Sequence, residues 1–352
     1  MEAAIPQHLR VVRSHHPGVA RTRHPRVRDD YQPPYPSYVA RHKPDVKRVV
    51  MAYFGLQSRT IDDDVVRVPL AAIAEAFSAE DGPGHWDRAS YIDEANFPTV
   101  VSIAYWDDPH RFDRWFARHG VNWAGSERPD TPLGFFTEVL RPSIDRYATL
   151  FSSTGRPEGV GALADGLSGM VREHAYWGGM RDRIPLSQTD DMAPRGAPRV
   201  DGSKKHRRVT PHRNICLIRS GQDWTDTDDE ERRLYLQDVE PVLRAGMDFL
   251  RDEGLACGCF ANRYMQVLAS DGRPVEKSFG MSWWHSLDAL ERWSESHPTH
   301  VAIFGAAMKY LSRLGPAAKL RLYHEVTVAA EEEQFFEYFN CHPSTGMLRS
   351  AN

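Results

Sequence analysis

Ala104-Tyr105-Trp106-Asp107-Asp108-Pro109, with Phe112 and Trp115 following, has an echo in Ser282-Trp283-Trp284-His285-Ser286, with Leu290 and Trp293 following. Nine residues separate Trp106 from Trp115, and nine separate Trp284 from Trp293. Each copy reads as the end of a strand followed by a helix with apolar residues on one face.

Working outward from the first copy, Val49 to Leu56 reads as a strand. Residues 60–78 read as a helix with Asp62 to Asp64 in its first turn, where acids suit the helix dipole. Asp81-Gly82-Pro83-Gly84 reads as a turn, Pro98 to Trp106 as a strand, and Pro109 to His119 as a helix. Upstream of the second copy, Ile215 to Ile218 is a strand, 226–252 contains a helix, and Gly258 to Val267 is a return strand. The order is strand-helix-strand-strand-helix-strand in each half. It predicts an α+β chain of two duplicated ferredoxin-like units, forming an α+β barrel with helices outside the sheets. The expected division is an N-terminal arm over 1–48, a first half over 49–186, a connecting loop over 187–212, and a second half over 213–352.

The arm holds ten Lys or Arg and is broken by prolines 17, 25, 33, 34, 36 and 44. An Arg-rich, acid-poor start has the composition of a transit peptide, but it lacks clear amphipathicity. A surface arm with Tyr31, Tyr35 and Tyr38 docked on the body is the preferred reading. The loop carries Lys204-Lys205-His206-Arg207-Arg208, read as a solvated face, since the net charge of −4 gives no pull toward nucleic acid. No apolar run approaches the roughly 20 residues that span a bilayer. No apolar leader stands at the N-terminus, so a cytoplasmic location is expected. Cys216, Cys257, Cys259 and Cys341 follow no zinc or redox spacing and are expected to be free, packed thiols.

Chemistry is sought in the histidines of the C-terminal third. In Glu295-Ser296-His297-Pro298-Thr299-His300, Pro298 suits the first position of a helix, with Ser296 or His297 as its cap and His300 in its first turn. The dipole there keeps an imidazole neutral, as a metal ligand must be. The apolar run Val301 to Met308 suits a flat macrocycle, while His at i and i+3 across a proline is the wrong spacing for a zinc protease helix. A capping or packed histidine is the plain alternative. His324 alternates with Leu320, Leu322, Val326 and Val328, which places it on an apolar strand face, expected to point into the barrel. A satisfied core histidine is the alternative there.

Five strings resemble the aldoxime dehydratase family. They are Trp177-Gly178-Gly179-Met180-Arg181-Asp182-Arg183-Ile184-Pro185-Leu186-Ser187-Gln188-Thr189-Asp190, Asn214 to Trp224, Glu291 to His300, Leu322 to Val326, and Asn340 to Met347. The likeness runs in order over residues 31–350. It implies a haem b lyase, ferrous when active, that dehydrates R-CH=N-OH to R-C≡N. It also implies the duplicated ferredoxin-like barrel, and a homodimer. Carried over by position, it implies His300 as proximal haem ligand and His324 as distal acid and base. It likewise implies Ser220 as hydrogen-bond donor to the oxime oxygen, and Arg183 as a distal cation near His324 or the propionates. One position departs from the pattern. Where the family often has Phe-Glu-Thr-Leu, this chain has Tyr147-Ala148-Thr149-Leu150.

Two other readings are open. A haem-binding sensor or carrier on the same barrel would keep His300 without needing Ser220 and His324 to converge. A cofactor-free barrel, either a monooxygenase or a binding module, would make all three histidines structural.

Overall fold

The computed structural model describes residues 20–33, 35–58, 64–174 and 178–351. Residues 1–19 of the arm, Asp62 and Asp63 of the first helix, and Trp177 lie outside the described residues.

Twelve strands form one continuous antiparallel sheet. In the first half these are β1 (Val50–Gln57), β2 (His85–Ile92), β3 (Pro98–Trp106), β4 (Gly134–Leu140) and β5 (Tyr147–Phe151). The connecting segment adds β6 (Arg199–Gly202) and β7 (His206–Thr210). The second half has β8 (Ile215–Asp223), β9 (Cys259–Leu268), β10 (Pro274–Trp284), β11 (Arg321–Ala329) and β12 (Gln334–Phe339). Their order across the sheet is β5-β11-β8-β10-β9-β2-β3-β1-β4-β12-β7-β6. The first half places its strands as β2-β3-β1-β4 and the second as β9-β10-β8-β11, the same order. The halves meet edge to edge through β2 and β9, where Ala89 faces Val267. Each half also extends the other: β5 pairs with β11, and β12 pairs with β4.

The sheet curls, because one of its faces buries a single core drawn from both halves. Tyr53, Ile103 and Phe136 pack there with Leu217, Phe279, Met281, Trp283, Phe336 and Tyr338. Buried ion pairs cross this interior, with Arg263 bidentate to Glu138 at 2.6 Å and Arg219 2.9 Å from Asp87. Helices cover the outer face. Over the first half lie α1 (Asp64–Phe77) and α2 (Pro109–Trp115), the latter continuing as a π-helical turn to Gly120. After the short α3 (Gly179–Arg183), the second half has α4 (Asp229–Leu234), α5 (Glu240–Asp252), α6 (Leu287–Ser296) and α7 (Pro298–Leu314).

The repeated tryptophans hold strand end to helix in each half. Trp106 and Trp115 have ring centroids 5.2 Å apart, and Trp284 and Trp293 5.6 Å. Asp108 caps α2 through the His110 amide, and Ser286 caps α6 through the Ala289 amide. The nine-residue spacing is therefore a packing contact made twice.

Segment 187–212, expected to be a loop, holds the β6–β7 hairpin that closes the sheet edge. Gly202, at φ 114°, turns the chain, and β7 pairs with β12. Its basic run is tied down locally. Lys205 lies 2.5 Å from Asp130, and His206 and Arg208 each lie 2.8 Å from Glu337. Composition suggested a loop because these charges face solvent and acids on one side of an edge hairpin. The four cysteines are free, three of them buried. Among the described residues no helix is long and apolar enough to cross a membrane.

Candidate functional site

His300 is set by the α6–α7 junction. His297 takes the extended backbone that the residue before a proline favours, and Pro298 opens α7 where a missing N–H is harmless. His297 is the cap: its Nδ1 accepts from the Thr299 amide at 3.4 Å and bonds the Thr299 hydroxyl at 2.9 Å. The ring is fixed by stacking on Phe249, with centroids 4.4 Å apart. That leaves His300 as the chemical histidine of the pair. Its ring meets Trp293 edge-on, centroids 4.7 Å apart. Burial depresses its pKa to about 4, opposed by a hydrogen bond with the Ser294 backbone. The imidazole is therefore neutral at neutral pH. One ring nitrogen thus engages the backbone, as is usual for metal-ligating histidines.

Ser220 and His324 stand directly opposite each other in the β8–β11 ladder, which puts their Cβ atoms about 5 Å apart on one face. Across β8 the next residue in that row is Gly280, and across β11 it is Leu150. This row does not face the barrel interior, as expected from alternation alone. His324 shares its face with Val326 and Val328, which pack with Leu243, Met247, Leu290 and Trp293 of the outer helices. The interior face carries Tyr323 and Glu325 instead, with Glu325 accepting from Tyr105 at 2.7 Å and from the Val160 amide at 2.9 Å. Alternation fixes which residues share a face but not which face the helices cover.

Arg183 comes from α3. It is 6% exposed, and its Nη1 donates to the Glu173 carbonyl at 2.6 Å. Its Nε is buried without a hydrogen-bond partner among the described residues. Burial lowers its pKa to about 10. His324 is driven down to about 3, by burial first and then by the nearby charges of Arg183, His174 and His300. His324 thus has Arg183, His174 and His300 as electrostatic neighbours and Ser220 opposite it in the ladder.

His174 is a residue the sequence reading missed. Its Nδ1 hydrogen-bonds Ser37 Oγ at 2.6 Å and its ring meets Tyr35 edge-on at 4.7 Å. Its pKa is lowered to about 4 by burial and then by Arg183. Its one sequence signal is its place just before the Trp177-Gly178-Gly179 string. Ala148 lies on the His324 face, opposite Val326, in the cluster under the outer helices. Glu325 points the other way and cannot stand in for a carboxylate there.

A flat, apolar iron macrocycle fits this space. Of the seventeen residues of α7 only Tyr310 is buried, though Ile303 to Met308 are apolar and half-covered. A methyl group added at Gly305 would meet nothing within 4 Å. His300 supplies one neutral donor at the head of that face. The buried Arg183 Nε calls for an acceptor, because an unpaired buried donor costs about 1–3 kcal/mol. Among the described residues no group of three or more His, Cys, Asp or Glu gathers to hold a bare ion.

The chain is similar to known proteins over nearly its whole length. A sequence profile of the haem-containing dehydratases matches residues 52–347. An aliphatic aldoxime dehydratase of Pseudomonas sp is 43% identical over 358 residues, covering 100% of this chain and 99% of the relative. A phenylacetaldoxime dehydratase of Bacillus sp. (strain OxB-1) is 35% identical, covering 91% of this chain and 93% of its own. The crystal structure of an aldoxime dehydratase in complex with butyraldoxime superposes with a TM-score of 0.93 at 40% identity, covering 99% of both chains. Similarity of this extent in both sequence and structure makes the chain a member of the haem-containing dehydratase family.

Proposed function

We propose that this protein dehydrates aldoximes to nitriles at a haem b held by His300. The observation that carries the reading is the Ser220–His324 row, which lies on the same sheet face that His300 and Arg183 approach. Bound there in the ferrous state, haem supplies the electron density that weakens the oxime N–O bond. The rest falls to the chain. Ser220 donates a hydrogen bond to the oxime oxygen and orients it toward His324. His324 moves the proton: one leaves the aldoxime carbon, one reaches the departing oxygen, and water and R-C≡N result with no net proton change. A buried imidazole beside a guanidinium is neutral between turnovers and, once protonated, a strong acid, which suits delivery to a poor leaving group. Arg183 holds positive charge over the developing hydroxide, or over a propionate.

Several finer points belong to the same proposal. The matching strand order of the halves supports descent from a duplicated ferredoxin-like unit, with 49–186 and 213–352 as the two copies and 1–48 as an arm. A homodimer follows from the family resemblance. Free thiols at Cys216, Cys257, Cys259 and Cys341 support a cytoplasmic enzyme.

The test is to add phenylacetaldoxime and a short aliphatic aldoxime to haem-loaded, dithionite-reduced protein under nitrogen, following the Soret band and nitrile. The expected result is a Soret shift with nitrile formed, and in His324→Ala the shift without turnover. Full turnover by His324→Ala would remove the proton-transfer role. A normal haem spectrum in His300→Ala would remove the ligand assignment.

A further inference from the structure

The string that best marked this chain, Gly178 to Arg183, has duties beyond Arg183. Gly178, at φ 78°, lies so close to the arm that an added Cβ would come 2.7 Å from Arg26 Cβ. At Gly179 a Cβ would crowd the Glu173 carbonyl at 3.0 Å and the Arg183 Nη1 at 3.4 Å. The Asp182 carboxylate, 2% exposed, accepts the backbone amides of Arg26 at 3.1 Å and Val27 at 2.7 Å. Arg181 reaches across to α6. Its Nε and Nη2 bond Glu291 Oε2 at 2.9 and 2.7 Å, and Nη2 also binds Asp288. Arg26 Nη1 completes the cluster at 3.0 Å from the same Glu291 oxygen. Glu291 itself is 1% exposed.

The two guanidinium contacts converge on one carboxylate. We propose that Glu291 is a positioning residue of the active site: through Arg181 and Arg26 it clamps α3, and so the Arg183 guanidinium, at a fixed place relative to α6 and the His300 junction.

Three physical points support it. A five-residue helix has no stability of its own, so its place is set by its ties to other elements. Gly178 provides no side-chain cap, and of the ties that hold α3 in place those of Arg181 to Glu291 are the ones that reach α6 by charge. Breaking a buried pair on one side is costly, and without Glu291 the Arg181 guanidinium, whose side chain is 12% exposed, keeps only the half-exposed Asp288 as its charged partner. Arg181 and Arg183 sit two apart on the same turn, so any drift of Arg181 moves Arg183.

The inference rests on the reading of Arg183 as a distal cation. The experiment compares Glu291→Gln, Glu291→Asp and Arg183→Ala with the unchanged full-length protein. Amide hydrogen exchange of residues 178–188 is read without haem, and the carbon monoxide stretch of the ferrous complex with it. Expected for Glu291→Gln is about tenfold faster exchange in that segment, the scale on which losing a buried charged contact opens a local unit. Its carbon monoxide stretch should move toward that of Arg183→Ala. Its kcat should fall up to about a hundredfold, the cost of a misplacement near 1 Å. Glu291→Asp, which keeps the charge, should recover part of each. Should Glu291→Gln fail to take up haem, Arg26→Gln is carried through the same readouts, with a smaller shift expected.

Unchanged exchange in Glu291→Gln would overturn the clamp, whatever the haem does. So would a lowered melting temperature with the carbon monoxide stretch unmoved, since that is a merely structural residue. If Arg183→Ala itself leaves the stretch unmoved, the distal role of Arg183 fails, and the clamp's catalytic consequence fails with it.

Discussion

Phe54 and Ser220 hold the same place in the two halves. Each lies four residues along the strand from the partner of the strand-end tryptophan: Val50 faces Trp106, and Cys216 faces Trp284. In the first half the Phe54 ring packs on Phe77, Trp115 and Trp123, with centroids 5.4–6.4 Å apart. In the second half the equivalent side chain is a single hydroxyl. The residues across the ladder differ the other way in size, the small Thr137 opposite Phe54 and the imidazole of His324 opposite Ser220. The first half also has no counterpart of α7; its chain turns through a π-helical turn after Trp115 and then enters loops. One half is thus filled by aromatic rings at this position, while the other carries a hydroxyl there and is the open frame in which the proposed chemistry falls.

Exchanging the two residues tests this directly. Ser220→Phe should close the open frame. We expect haem content to fall sharply and turnover by about a thousandfold, beyond the 10²–10³ that loss of one well-placed donor removes. Haem titration and nitrile assay of the purified variant check it, with circular dichroism as control for the fold. Retention of haem and turnover would mean the rows are not equivalent in space. The reverse change, Phe54→Ser, should leave haem uptake and kcat of the folded protein intact. It should destabilise the protein by about 3–5 kcal/mol, as deleting a buried ring does. Denaturant unfolding of the haem-free protein measures it. A loss below about 1 kcal/mol would show a first-half core that can collapse, weakening the contrast.

The sequence carried more of the frame than of the site. The tryptophan spacing and the apolar strands are local signals, and each falls where the structure has it. The strands Val50–Gln57, Pro98–Trp106 and Cys259–Leu268 match their expected bounds to within a residue or so. What was not legible depends on distant pairing. The Arg199–Thr210 hairpin looked like a charged loop because its neutralising partners, Asp130 and Glu337, lie far along the chain. The outward face of His324 depends on which side α5 to α7 cover. His174 has no motif of its own; its role as a neighbour of Arg183 and His324 is a product of the fold.

The smallest effect concerns protons and sharpens why the open half holds buried imidazoles at all. His324 has its pKa lowered to about 3, with burial the larger cause and the Arg183 charge the next. A lowered histidine pKa means the neutral form persists as pH falls, until the pH approaches the lowered value. The profile of kcat/KM, which reports the free enzyme, should therefore show no acid limb near pH 6.5 from this residue. Replacing Arg183 with leucine removes a positive charge that opposes protonation, so the His324 pKa must rise. Because burial remains, it should rise by about one unit or less and stay below 6.5. A stopped-flow pH series on both proteins reads the shift. An acid limb at pH 6.5 in the unchanged protein would place His324 in contact with solvent and make the second half a cleft rather than a closed frame.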